Sequence, residues 1–251
     1  MSSRLPLVLG AVAVVGVLSA TALAARSGEP VRQDLVITTS APVYAAAPAA
    51  PGSVQAAPRG DGVVTVDPGW ASRMAGKAGI PLPAMRAYAV AALRLSSSQP
   101  DCALGWSTLA GLGYVESLHG TIGGRSLLDD GHSSTPILGP ALDGQGDFAA
   151  IPASPTSAQW HGDVTWDHAV GPLQFIPSTW STWQSDGDGD GVADPNDLDD
   201  AAYAAGRYLC ASGASLDTGA GWVAAVFSYN HSEDYVRQVY DAASAYATRT
   251  S

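Results

Sequence analysis

Charge is scarce in this 251-residue chain, where 14% of residues are Asp, Glu, Lys or Arg. Positive charge is scarcest: 12 basic side chains face 23 acidic ones, for a formal net charge of −11. So few cations cannot neutralise a phosphate backbone, which removes nucleic acid from the expected partners. His119, His132, His161, His168 and His231 are scattered, without the His-Glu-x-x-His spacing that puts two imidazoles on one helical face, so zinc catalysis is not expected. No local signature of a serine or cysteine nucleophile is present. The two cysteines, Cys102 and Cys210, permit one intramolecular pairing. An oxidising compartment favours the bridge, and the alternative is two buried thiols. Convincing strand alternation is missing as well.

What is plentiful is apolar: 46% of residues are hydrophobic, enough for one globular core with tails. The first 25 residues hold a single base, Arg4, and no acid, and the low-polarity run from Leu5 to Ala25 reads as a membrane-targeting segment. Residues 1–26 are therefore expected to be a cleavable signal peptide, with Ala22-Leu23-Ala24 as a cleavage site, or an uncleaved single-pass anchor. Either places the rest of the chain outside the cytoplasm, anchored or secreted, where a disulfide persists. Residues 27–62 are rich in Ala and Pro, have no face that packs, and read as a disordered linker. A domain over 63–248 follows, read as mainly α and monomeric. Helices are predicted over Pro83–Leu95, from Cys102 to about Leu118, over Pro172–Phe175 and Pro177–Trp183, over Asp199–Cys210 and Trp222–Tyr229, and from Ser232 onward with Tyr235, Val239 and Tyr240 inward. The Gly-, Pro-, Ser- and Asp-rich stretch from Leu127 to Asp167 is expected to line a cleft.

Two features carry chemistry. Glu116 falls four residues after Leu112 and seven after Leu109, which puts a carboxyl on the apolar face of its helix. Desolvation there favours the protonated form, the condition a general acid needs near neutral pH, whereas an ordinary glutamate at a helix end is solvated. Farther on, seven aspartates crowd between Asp186 and Asp200. Asp186, Asp188, Asp190, Val192 through its carbonyl, Asp194 and Asp197 stand at positions one, three, five, seven, nine and twelve of an EF-hand-like loop, with Gly191 at the sixth. Hard oxygen donors at that spacing suit a structural Ca2+; the plainer reading is a solvated acidic turn. Trp160, Trp166, Trp180, Trp183 and Trp222 offer apolar faces on which sugar rings stack, with one or two expected in the cleft and the others in the core.

Gly113-Tyr114-Val115-Glu116-Ser117, Gly171-Pro172-Leu173-Gln174-Phe175-Ile176-Pro177-Ser178 and Ser228-Tyr229-Asn230, in this order, resemble the motifs of lytic murein transglycosylases of the membrane-bound B type, actinobacterial style. The resemblance implies a lysozyme-like, goose-type helical domain. It implies non-hydrolytic cleavage of the β-1,4 bond between N-acetylmuramic acid and N-acetylglucosamine in peptidoglycan, yielding 1,6-anhydro products for cell-wall remodelling. It further implies that Glu116 acts as acid and then base, that Ser117 supports it, that Gln174 contacts sugar, and that Tyr229 and Asn230 close the site. Pro172-Leu173 departs from the family's usual Ala-Met or Leu-Met pair. Two rival readings remain: a hydrolase using Asp163 or Asp167 as second carboxylate, and a non-catalytic wall- or calcium-binding module.

Overall fold

A computed structural model describes residues 46–48, 53–56, 64–146 and 148–251. The expected targeting segment and most of the expected linker lie outside the described residues. Among the described residues no helix is long and apolar enough to cross a membrane.

The described residues are mainly helical. α1 (Pro68–Ala78) starts at Asp67, whose carboxylate accepts the Trp70 amide at 2.6 Å, and stops at Gly79 in the left-handed region. Hydrophobic periodicity does not predict α1, because three of its four buried residues are alanines, Ala71, Ala75 and Ala78, beside Trp70. α2 (Leu82–Ser98) buries Met85, Tyr88, Ala92 and Leu95, the face predicted from their spacing. A 3-10 turn over Pro100–Cys102 and the left-handed Ala103, φ 53°, delay the start of α3 (Trp106–Ser117) to Trp106 rather than Cys102.

α3 is buried without interruption from Trp106 to Gly113, as a central helix must be. It packs chiefly on α8, while α2 packs on α6. Gly111 makes the α3–α8 approach possible, since a Cβ there would stand 2.8 Å from the Val239 carbonyl oxygen.

β1 (Leu138–Ala141), the single-turn α4 (Ala158–His161) and β2 (His168–Val170) occupy and border the stretch expected to be a plain loop. The two strands pair antiparallel, Leu138 with Val170 and Ala141 with His168, with an irregularity between. The sequence shows no strand alternation, yet two strands form: at four and three residues they are too short to display it. The predicted helix over Pro172–Phe175 is likewise a reversal: Val170 and Phe175 exchange both backbone hydrogen bonds, at 2.9 and 3.0 Å. Gly171, φ 76°, begins it, and a Cβ there would collide with the Pro195 carbonyl.

α5 (Pro177–Trp183), α6 (Leu198–Cys210), α7 (Gly219–Tyr229) and α8 (Glu233–Thr250) complete the fold. Asp197, Thr218 and Ser232 cap α6, α7 and α8 through side-chain oxygens. Cys102 and Cys210 are bridged, Cα–Cα 5.4 Å, tying the turn after α2 to the end of α6 across 108 residues of sequence.

Candidate active site

Glu116 sits on the last turn of α3, in phase with the fully buried Leu109 and Leu112. The residue keeps a partial opening to solvent while its carboxyl is densely surrounded by protein. Burial pushes its pKa up to about 7, against the opposing effect of a hydrogen bond that Tyr235 Oη donates to Oε1 at 2.5 Å. The carboxyl therefore exchanges its proton near neutrality, the property shared by a general acid and a general base. Tyr235 and Tyr229 are both buried, and burial, then the charge of Glu116, holds their hydroxyls well above the usual phenol range, so they remain donors.

The three sequence motifs meet through hydroxyls. Ser117 Oγ donates to the Pro172 carbonyl at 2.6 Å and accepts the Gly120 amide at 2.7 Å. Tyr229 Oη donates to the Leu173 carbonyl at 2.8 Å. The reversal between β2 and α5 thus presents two successive carbonyls, one to the end of α3 and one to the end of α7. Backbone oxygens do this work, so a Pro-Leu pair serves, and the Leu173 side chain is simply buried. Gln174, half-buried and at φ 51°, donates Nε2 to the Gly171 carbonyl at 2.8 Å. Its Oε1 faces Gly139 on β1 so closely that a Cβ there would come within 2.8 Å. Asn230 is buried at the C-terminal cap of α7, and its carbonyl accepts the Ser232 amide at 2.7 Å.

An aromatic chain backs this arrangement. Phe175 meets Tyr229 edge-on at 6.0 Å, Tyr229 meets Tyr208 at 5.5 Å, and Tyr208 meets Trp183 at 5.5 Å. Trp180 and Trp222 are core residues, whereas Trp160, Trp166 and Trp183 are half-buried. His119 is buried behind α3, its two ring nitrogens 3.0 Å from Tyr88 Oη and 2.8 Å from Tyr246 Oη, and burial lowers its pKa to about 4. Asp167 is buried against His161 Nε2 at 3.2 Å. Asp163 accepts the Thr165 and Trp166 amides and lies 3.2 Å from His168 Nε2. Both candidate second carboxylates are thus engaged in their own loop.

The acidic loop turns its own amides onto the Asp186, Asp188 and Asp190 carboxylates. Carboxylate oxygens of Asp186, Asp188 and Asp200 lie within 4.8 Å of one another, a separation that one cation can bridge. Asp197 caps α6, its Oδ1 accepting the Asp199 amide at 2.7 Å. Asp190 accepts the Val192 amide at 2.7 Å, and Asp194 accepts the Asn196 amide at 2.8 Å. The amides of Gly189 and Gly191 reach Asp186, and Arg94 on α2 donates to the Asp186 and Gly187 carbonyls at 2.8 and 2.6 Å, which pins the loop's entry. Burial first, then neighbouring aspartates, push Asp199 and Asp200 up to about 6. A hard divalent cation fits the Asp186, Asp188 and Asp200 donors chemically.

Sequence reasoning missed two residues. Tyr235 is placed inward on its helix by spacing, but its contact with Glu116 depends on the α3–α8 crossing. Asp200 is the fifteenth residue of the loop, beyond the span a twelve-residue pattern inspects.

No curated protein matches the chain. Two solved structures of the Escherichia coli lytic transglycosylase Slt35, one in complex with bulgecin A and one with calcium, are similar at 16% identity, covering 72% of this chain and 78% of that one, with a TM-score of 0.42. Residues 156–227 match the family described as Transglycosylase SLT domain, a segment that holds the carbonyl reversal, the acidic loop and most of α7 and leaves Glu116 and Tyr235 outside. That match supports an enzyme that cleaves peptidoglycan.

Proposed function

We propose that this chain is a lytic transglycosylase that cuts the β-1,4 bond between N-acetylmuramic acid and N-acetylglucosamine without water, in cell-wall remodelling outside the cytoplasm. The carrying observation is a single desolvated carboxyl, Glu116, poised near pH 7 and steadied by one phenol. Protonated Glu116 gives its proton to the glycosidic oxygen as the C1–O bond breaks. The resulting carboxylate then takes the proton of the muramic acid C6 hydroxyl as that oxygen bonds to C1. One proton is given and one regained, and a 1,6-anhydro ring closes with no second carboxylate. Tyr235 holds Oε1, which leaves Oε2 to carry the proton. The engagement of Asp163 and Asp167 within their loop favours this path over hydrolysis, which needs a free second carboxylate for nucleophile or water.

Mass spectrometry of products from purified peptidoglycan tests the reading. Anhydro-ended fragments, lighter than hydrolytic ones by one water, support it; reducing ends overturn it in favour of the hydrolase. Asp186, Asp188 and Asp200 would hold Ca2+ as a structural ion that neutralises their mutual repulsion. Ser117, Gln174, Tyr229 and Asn230 shape the site around Glu116, with Gln174 the residue proposed to meet sugar.

A further inference from the structure

α3 and α8 build a second concavity that the proposed chemistry does not use. It measures about 300 Å3 and is lined by Tyr114, Gln238, Asp241, Ala242, Ala245, Tyr246 and Arg249. The α8 residues recur at intervals of three and four, so they form one stripe about 16 Å long at a rise of about 1.5 Å per residue. Tyr114 stands over it, 47% exposed, among the few large side chains that the core does not take. Its wall is braced: Tyr246 packs edge-on to Tyr114 at 6.4 Å and is anchored through its hydroxyl on His119. Tyr114 and Glu116 are two residues apart on one helix, roughly 200° around its axis, so the groove opens on a different face from the carboxyl.

We propose that this groove binds a neutral β-linked N-acetylhexosamine strand, as a site separate from the one at Glu116. The inference rests on the reading that the chain acts on amino-sugar glycans. A sugar ring offers an apolar face and a rim of hydroxyls and amides, and the groove answers both. Tyr114 supplies the aromatic platform, and Ala242 and Ala245 a floor low enough for a ring to lie against it. Gln238 and Asp241 make no side-chain hydrogen bond or ion pair among the described residues, and both are exposed. Arg249 donates one nitrogen to the Ala78 carbonyl at 3.0 Å and keeps other N–H groups for a ligand. One acid and one base cancel, so the lining favours an uncharged polar ligand over a stem peptide with net charge. Holding a polymer at a second point raises the local concentration of strand at Glu116.

The test uses the full chain carrying Glu116→Gln, so that nothing is cut, titrated with N-acetylglucosamine tetramer while the Ala242 and Ala245 methyl signals are followed by NMR. Saturable shifts of both methyls are expected, with affinity at that site weakened roughly tenfold by Tyr114→Ala. Ala245→Gln, which fills the groove from the helix surface, should abolish the shifts. Methyls that stay still while the Tyr235 ring signals move would overturn the proposal, as would shifts that persist in both variants or that only a stem tetrapeptide elicits. Product analysis of the unmutated enzyme is independent: cutting without methyl shifts sinks the groove alone, and methyl shifts without cutting sink the enzymatic reading alone.

Discussion

Two regions of this molecule hold carboxyl groups well above their ordinary pKa, and they do so for different reasons. At the end of α3, burial is the main cause, and the chief opposing contact is one phenol. In the acidic loop, burial is joined by neighbouring carboxylates, so Asp188 raises Asp199, and Asp188 and Asp186 raise Asp200. A lone desolvated carboxyl is relieved by a proton, while a group of them is relieved by a divalent cation. The contrast is what supports the proposal of proton transfer at Glu116 and of a bound cation in the loop.

The largest expected effect lies at the first region. Glu116→Gln should lower the rate of peptidoglycan cleavage by about 10²- to 10⁴-fold, the usual contribution of a general acid–base group. Wild-type rates in the variant would break the comparison, because a solvated bystander would do the same.

The same substitution has a stability signature. Glu116 has a raised pKa in the folded state, so the folded protein binds a proton more tightly than the unfolded chain does. Its penalty is absent below about pH 4.5, grows as pH rises toward 7, and is complete above 7. Glutamine accepts the Tyr235 hydrogen bond without a charge, so the variant should gain up to about 3 kcal/mol at pH 8 and nothing at pH 4. Thermal melts at the two pH values check this, and equal shifts at both would contradict it.

At the second region, Ca2+ at a hundred times its dissociation constant should stabilise the fold by about 2.7 kcal/mol, and chelation should reverse this. Asp200→Asn should erase most of that shift in melting temperature. Asp197→Asn should leave it, since asparagine still caps α6. The reverse outcome would favour the twelve-position ligand set.

The smallest effect sharpens the comparison. Tyr235→Phe removes the one hydrogen bond that lowers the Glu116 pKa, so the alkaline limb of the pH–rate profile should move up by about one pH unit. A merely structural tyrosine would reduce activity at every pH and leave the limb in place.

Much of the helical framework was legible because long apolar side chains at three- and four-residue spacing mark α2, α3 and α8. α1 escaped because alanine contributes burial with little hydrophobic signal, although Asp67-Pro68 and Gly79 mark its ends. The short strands and the Gly171–Gln174 reversal escaped because tertiary hydrogen bonds, not local pattern, impose them. Glu116 was legible by phase, and the tie between the motifs was not: it runs through the carbonyls of Pro172 and Leu173, and every residue has a carbonyl.

The sequence by itself determined the acidic balance, a mainly helical domain, the one possible cysteine pair, and Glu116 as a carboxyl on an apolar face. These depend on composition and on helical period, which are local. Only the tertiary structure decided that Tyr235 meets Glu116, that Asp200 lies beside Asp186 and Asp188, and that Tyr114 overlooks a groove. The first and third depend on how α3 crosses α8, and the second on how the acidic loop folds back onto the start of α6, and that packing is not written in any local pattern.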